Sequence, residues 1–177
     1  VGITDHNYIR AGATVLEGPE DLINVSKVVI KVKEPTMAEC KLLQPHQILF
    51  CYLHLAAFPE QTRLLCESGA TAVGFETVST ADGQLPLLKP MSQIAGGLAV
   101  QNAVHYLQKH EGGRGVLMSG VGGVERGKIL IIGGGTAGEN AASVGVGLGA
   151  EVTIFDRSLA RLDYLADKFG SNLNYVY

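Results

Sequence analysis

The chain reads as an α/β protein: two Rossmann-like parallel-sheet segments joined by a long helix. Three observations predict this. Residues 27–75 alternate short apolar runs with helix signals in strand, helix, strand, helix, strand order, the pattern of a parallel sheet. Residues 128–177 repeat that order. Between them, the stretch from about Ser92 to Lys109 reads as one long helix.

Each element has a local reason. Thr4 or Asp5 caps a short helix running to about Ala13, with 14–16 extended after it. Residues 27–33 alternate β-branched residues with lysines and predict a strand, which Glu34-Pro35 ends because a residue before proline avoids the α region. A short helix follows over 36–43. Residues 47–55 form a continuous apolar run interrupted by one histidine, as in a buried parallel strand. Pro59 suits the first turn of a helix through Glu67, and Gly69 suits its end. Residues 71–75 predict another strand, and 79–84 a polar turn. The glycine-rich stretch 112–127 reads as a flexible connection or a hairpin. The second segment is then strand 128–132, helix 137–148, strand 151–155, helix 158–168 and strand 172–177. The implied organisation is 1–86, a linking region 87–127, and 128–177.

Composition narrows the function classes. The net charge is −3 with no basic stripe, which argues against a nucleic-acid footprint. No apolar stretch reaches the roughly 20 residues of a membrane span. The three cysteines, Cys40, Cys51 and Cys66, are odd in number and far apart. They read as reduced packing thiols rather than a disulfide framework or a metal site. Apolar residues make up 46% of the chain, enough for a real core.

The most informative motif runs from Lys128-Ile-Leu-Ile-Ile132 into Gly133-Gly-Gly-Thr-Ala-Gly138. Gly133, Gly135 and Gly138 match G-x-G-x-x-G. Gly133 permits the tight turn, Gly135 lets the backbone approach a pyrophosphate, and Gly138 lets helix and strand pack closely. A strand precedes the motif, a helix follows it, and Asp156 ends the next strand, where an acid accepts hydrogen bonds from a ribose. The same charge disfavours a 2′-phosphate, so NAD is expected over NADP, although Arg157 softens that preference.

Elsewhere, polar groups sit in apolar settings. His54 lies in Leu49-Phe-Cys-Tyr-Leu-His-Leu-Ala-Ala57, either as a hydrogen-bonded core residue or as a general acid/base. Alternation places Lys31 and Lys33 on one face, with Lys31 expected at a solvated edge. Lys33 and His54 both fall near the carboxyl ends of strands, where open α/β sheets bind ligands. Ser92 reads as a cap of the long helix that also suits a cofactor contact. Glu76 reads as a turn residue.

Taken together, Lys31-Val-Lys-Glu-Pro35, Leu53-His-Leu-Ala-Ala57, Glu76-Thr-Val78, Pro90-Met-Ser92 and Gly112-Gly-Arg-Gly-Val-Leu-Met118 resemble the alanine dehydrogenases, over essentially the whole chain. The NAD-binding component of proton-translocating transhydrogenase is the weaker likeness. The resemblance implies reversible, NAD-dependent oxidative deamination of L-alanine to pyruvate and ammonium. It implies a substrate-binding Lys33 and a catalytic His54. Cofactor contacts are implied at Met91, Ser92, Gly133, Gly135, Thr136, Ala137, Gly138, Asp156 and Arg161. It also implies a cytoplasmic homohexamer that binds neither nucleic acid nor membrane and holds no metal. On this resemblance, 1–86 is part of the catalytic domain and 128–177 the first half of the NAD domain. Family members are much longer, with a carboxylate-binding arginine before this stretch and an active-site aspartate after it. The chain by itself is therefore expected to have little or no activity.

Overall fold

A computed structural model describes residues 2–177. The chain divides into two compact units, Val1–Leu87 and Leu88–Tyr177, each an α/β layer on its own parallel sheet.

The first unit begins with helices Asp5–Arg10 (α1) and Pro19–Val25 (α2). Its sheet contains Val28–Ile30 (β1), Ile48–Cys51 (β2) and Thr71–Gly74 (β3), all parallel and in the order β1-β2-β3. Met37–Leu42 (α3) and Pro59–Ser68 (α4) make the crossovers. Helix α3 starts with a capping box: the Thr36 hydroxyl accepts from the Glu39 amide, and the Glu39 carboxylate accepts from the Thr36 amide at 2.6 Å. One face of the sheet supplies Val29, Leu49 and Cys51 to a core with Ile23, Cys40 and Leu65. Leu49 is fully buried, which contributes about 1.5–3 kcal/mol.

Several elements differ from the sequence expectation. Helix α2 was not anticipated, although Pro19, Glu20 and Asp21 supply the proline and acidic first turn of a helix start. The first strand ends at Ile30, not at Lys33. Its pairing persists loosely, with the Lys31 amide donating to Phe50 O and the Tyr52 amide to Val32 O. Lys31 is not on a solvated edge: its ammonium pairs with the Glu39 carboxylate at 2.7 Å, half-buried. The second strand stops at Cys51, so His54 lies beyond it. Gln47, just before that strand, is buried and donates to the carbonyls of Ile23 and Ser26 at 2.6 and 2.7 Å, locking the end of α2. Cys40 and Cys51 are core residues, and burial pushes the Cys51 thiol up to about 11. Cys66, on α4, is exposed rather than packed.

The second unit opens with Lys89–Tyr106 (α5). Its sheet contains Lys128–Ile132 (β4), Glu151–Phe155 (β5) and Asn174–Val176 (β6), again parallel and in sequence order. Thr136–Gly147 (α6) and Leu159–Phe169 (α7) connect them. Val152, Ile154, Leu165, Ala142 and Leu173 form the core with Met118. Residues 112–127 turn back through an isolated antiparallel pair, Val121 with Val124, and the Gly127 amide donates to Met118 O at 3.0 Å. Helix α5 runs against α6 so closely that a Cβ on Gly96 would enter the Ala137 carbonyl. Leu130 and Ile132 alternate onto the exposed face of β4. Among the described residues, no helix is long and apolar enough to cross a membrane.

Candidate functional site

In the first unit, the polar residues of interest gather where β1, β2 and β3 end. His54 follows β2 and precedes a short 3-10 turn, Leu55–Ala57. It is not a core histidine, because 46% of its side chain is exposed. Its backbone is left-handed, with φ 45° and ψ 41°; among the described residues it is the one non-glycine with positive φ. Such a conformation crowds the Cβ against the backbone and persists only when its surroundings impose it.

Three side chains surround His54. The Glu34 carboxylate lies 3.3 Å from Nδ1, which assigns that nitrogen the proton and leaves Nε2 as the lone-pair nitrogen. The Tyr52 ring stacks on the imidazole, with centroids 5.7 Å apart and planes 11° from parallel. Tyr52 is itself fixed by Phe75 edge-on and by donating to Leu87 O at 2.6 Å. The Glu76 carboxylate accepts from the amides of Leu53 and His54 at 3.0 and 2.8 Å. Burial opposes the charge on Glu76, but its own backbone amide and those of His54 and Leu53 together outweigh it and hold the carboxyl below its usual range. Glu34 is held low as well, chiefly by a backbone hydrogen bond and then, against burial, by the His54 contact.

Lys33 is exposed in the bend after β1, next to Glu34. The Glu34–His54 contact thus ties the segment carrying Lys33 to the segment carrying His54. Glu34 stands inside the Lys-Val-Lys-Glu-Pro motif, where sequence alone assigns it no role of its own. Glu76 does lie in a turn, as its sequence position predicts, but it also binds two amides. Its partners are 22 and 23 positions away, so no local pattern marks it.

In the second unit, Gly133 turns the chain out of β4 with φ 98°, a conformation that favours glycine. The loop reaches α6, whose N-cap is Gly135. That residue carries no side chain to occupy the first-turn amides, which are left directed at any anion that docks there. A Cβ on Gly138 would collide with the Gly133 carbonyl, so strand and helix meet there in the manner the motif requires. Gly134, the middle residue, is the tightest addition to the expected set. A Cβ there would lie 2.8 Å from Leu165 Cδ1 and 3.1 Å from Asp156 Oδ2, whereas one on Gly135 would meet open space.

Asp156 and Arg161 brace this loop from both sides. Asp156 Oδ2 accepts from the Gly134 amide at 2.6 Å, and Oδ1 accepts from the Ser158 amide at 2.8 Å. These two bonds hold its carboxyl below the usual range. The Arg161 guanidinium donates to the Gly134 carbonyl and pairs with Glu139. Glu139 stands in the first turn of α6, where its charge would oppose a bound anion. Burial pushes its carboxyl up, but Lys168 and Arg161 outweigh that and hold it below its usual range.

Two clefts flank the loop. One, of about 680 Å³, is lined by Ser92, Gly133, Gly135, Thr136, Ala137 and Gly138, among others. Ser92 is therefore beside the glycine turn but does not cap α5. The helix begins earlier, at Lys89, and the Ser92 amide is already bonded to Leu88 O. Met91 is exposed in the same turn and does not line this cleft. The other cleft, of about 420 Å³, is lined by Ile132, Gly133, Phe155, Asp156, Arg157 and Tyr177.

Comparisons with known proteins agree with this architecture. An alanine dehydrogenase of Methanococcus maripaludis is 48% identical over 171 residues, covering 97% of this chain and 46% of that protein. A solved L-alanine dehydrogenase superposes with a TM-score of 0.88 at 49% identity, over 99% of this chain and 49% of its own. A transhydrogenase of Sinorhizobium meliloti shares the fold, with a TM-score of 0.76 at 23% identity, over 99% of this chain and 51% of its own. The chain thus spans about half the length of the relatives it matches. The family descriptions "Alanine dehydrogenase/PNT, N-terminal domain" and "Alanine dehydrogenase/PNT, C-terminal domain" match residues 1–95 and 99–177, and the chain belongs to the alanine dehydrogenase/PNT family.

Proposed function

We propose that this chain is part of an NAD-dependent alanine dehydrogenase, which converts L-alanine, water and NAD to pyruvate, ammonium, NADH and a proton, reversibly. The observation that carries the proposal is the buttressed imidazole of His54: solvent-accessible, backbone-clamped, with one ring nitrogen assigned to Glu34. A domain that only binds a nucleotide has no use for such a group.

The second unit fits NAD. Its glycine loop cannot accept a side chain at Gly138 and is crowded at Gly134, and the start of α6 offers amides to a diphosphate. Thr136 and Ala137 lie in that first turn, with Ser92 on the wall of the same cleft. Met91 belongs on the nicotinamide side. Asp156 retains lone pairs for ribose hydroxyls after its two backbone bonds, and its charge favours NAD over NADP. Arg161, already committed to Gly134 and Glu139, supports the loop on the adenine side. When bound, NAD removes hydride from the alanine α-carbon.

The remaining chemistry belongs to side chains. Lys33 offsets negative charge on the substrate carboxylate or carbonyl oxygen. As water adds to the iminium carbon, His54 Nε2 accepts a proton from it. The same nitrogen returns that proton to the departing amine and then takes the hydroxyl proton as the carbinolamine collapses to the carbonyl. Tyr52 and Glu34 limit the ring to one orientation while this occurs. A cytoplasmic homohexamer belongs to the same proposal.

The test uses a polypeptide of the relatives' length. It should form NADH in an alanine-dependent reaction, and H54A should lower turnover by about 10²–10⁴-fold. Binding of NADH without any alanine turnover would instead favour a transhydrogenase-type nucleotide-binding component.

A further inference from the structure

We propose that Glu76 is the positioning residue that anchors the backbone of His54, and so its imidazole, at the end of the first sheet. The proposal rests on the acid/base role assigned to His54 above.

The geometry is specific. A histidine with φ 45° carries a steric penalty that glycine would not. The amides of Leu53 and His54 are both bonded to one carboxylate oxygen. Glu76 Oε1 accepts from Leu53 at 3.0 Å and from His54 at 2.8 Å, and Oε2 lies 3.3 Å from the Leu53 amide. Consecutive amides converging on one acceptor form a nest for an anion.

The neighbouring strand is adapted to deliver that anion. Glu76 sits in a 3-10 turn directly after β3, and its side chain folds back over Gly74. A Cβ on Gly74 would lie 3.1 Å from Glu76 Oε2 and 3.3 Å from Cδ, so the glycine makes room for the carboxylate. Gly74 is buried and pairs with Cys51 at the end of β2. The clamp therefore spans two adjacent strand ends and ties the His54 backbone to the sheet. Phe75, between Gly74 and Glu76, packs edge-on against Tyr52, the ring that stacks on the imidazole. The β3–Glu76 corner thus fixes His54 by its backbone and, through Tyr52, by its ring. Glu76 itself does not touch the accessible Nε2 edge and takes no part in proton transfer.

Amide hydrogen exchange and steady-state kinetics on a polypeptide of the relatives' length test this. In E76A, the amides of Leu53 and His54 should lose protection while those of β2 keep it. The turnover number should fall on the order of 10²-fold, as for a misplaced catalytic group, with a much smaller change in KM for alanine. E76Q keeps an oxygen that can accept from both amides, so it should retain protection and most of the turnover. Should E76A fail to fold, E76D, whose carboxylate is one methylene too short for both amides, takes its place with the same expectations. Wild-type protection of both amides in E76A or E76D would overturn the proposal, as would unchanged turnover. Exchange reads the clamp independently of the reaction, whereas undiminished turnover in H54A would overturn the acid/base assignment and leave the clamp standing.

Discussion

The carbonyl of Gly133 closes against the Cα of Gly138, so tightly that no Cβ fits between strand β4 and helix α6. G138A should therefore destabilise the second unit by about 1–3 kcal/mol, the usual cost of overpacking a close contact. A urea titration followed by tyrosine fluorescence measures this. A midpoint equal to that of the wild type would mean that α6 moves aside without penalty.

Asp156 combines two roles that a single substitution separates. Its carboxylate braces the Gly134 amide at 2.6 Å and retains capacity for a ribose. D156A should weaken NADH binding about tenfold or more, the effect of removing charge-assisted hydrogen bonds. D156N keeps an acceptor for Gly134 and should lose less. Fluorescence titration of a polypeptide of the relatives' length reads both, and an unchanged dissociation constant in D156A would remove Asp156 from the candidate cofactor site.

Glu34 gives His54 a defined tautomer through the 3.3 Å contact at Nδ1. Removing such an orienting carboxylate lets the wrong ring nitrogen carry the proton. E34A should lower turnover about tenfold, the small end of the range seen for such partners because this imidazole is half-exposed. Full activity in E34A would show that Tyr52 stacking alone suffices to orient the ring.

The carboxylates set the acid limit of stability. Glu34, Glu39, Glu76, Glu139 and Asp156 are all held below their ordinary values in the folded chain. Each contributes stability that is fully present above its unfolded value, 4.5 for the glutamates, and is lost as the pH falls through its folded value. The thiols act at the other end. Burial raises Cys40 and Cys51, so the unfolded chain releases their protons first and stability declines above an ordinary thiol value of 9.0. Urea midpoints should be flat between these limits and fall on both sides. A midpoint that rises on acidification below pH 4.5 would contradict the carboxylate assignments.

Much of this fold was legible because its signals are local. Lys128–Ile132 with the glycine turn predicted strand β4 and the start of helix α6, and Pro59 with Gly69 bracketed α4 to within a residue. What escaped prediction depends on distant partners. Strands β1 and β2 look longer in sequence than they are because the alternation over 27–33 and the apolar run over 47–55 both continue past the ends of the strands. Lys31 looked solvated because Glu39 lies on the next helix. Glu76 looked like a turn residue because the amides it serves belong to another strand. Helix α2 was missed even though Pro19 and its acids were visible, since seven residues carry too little periodicity to stand out.

The unequal burial of the three sulfur atoms has a practical consequence. Cys40 and Cys51 are sealed beneath the first sheet, while Cys66 sits at the surface on α4, the helix that follows the His54 turn. Thiolate supply and access govern alkylation, so a maleimide dye at neutral pH will attach at position 66 alone. The chain thereby carries a single-site optical reporter in the last turn of α4, with no engineered cysteine needed.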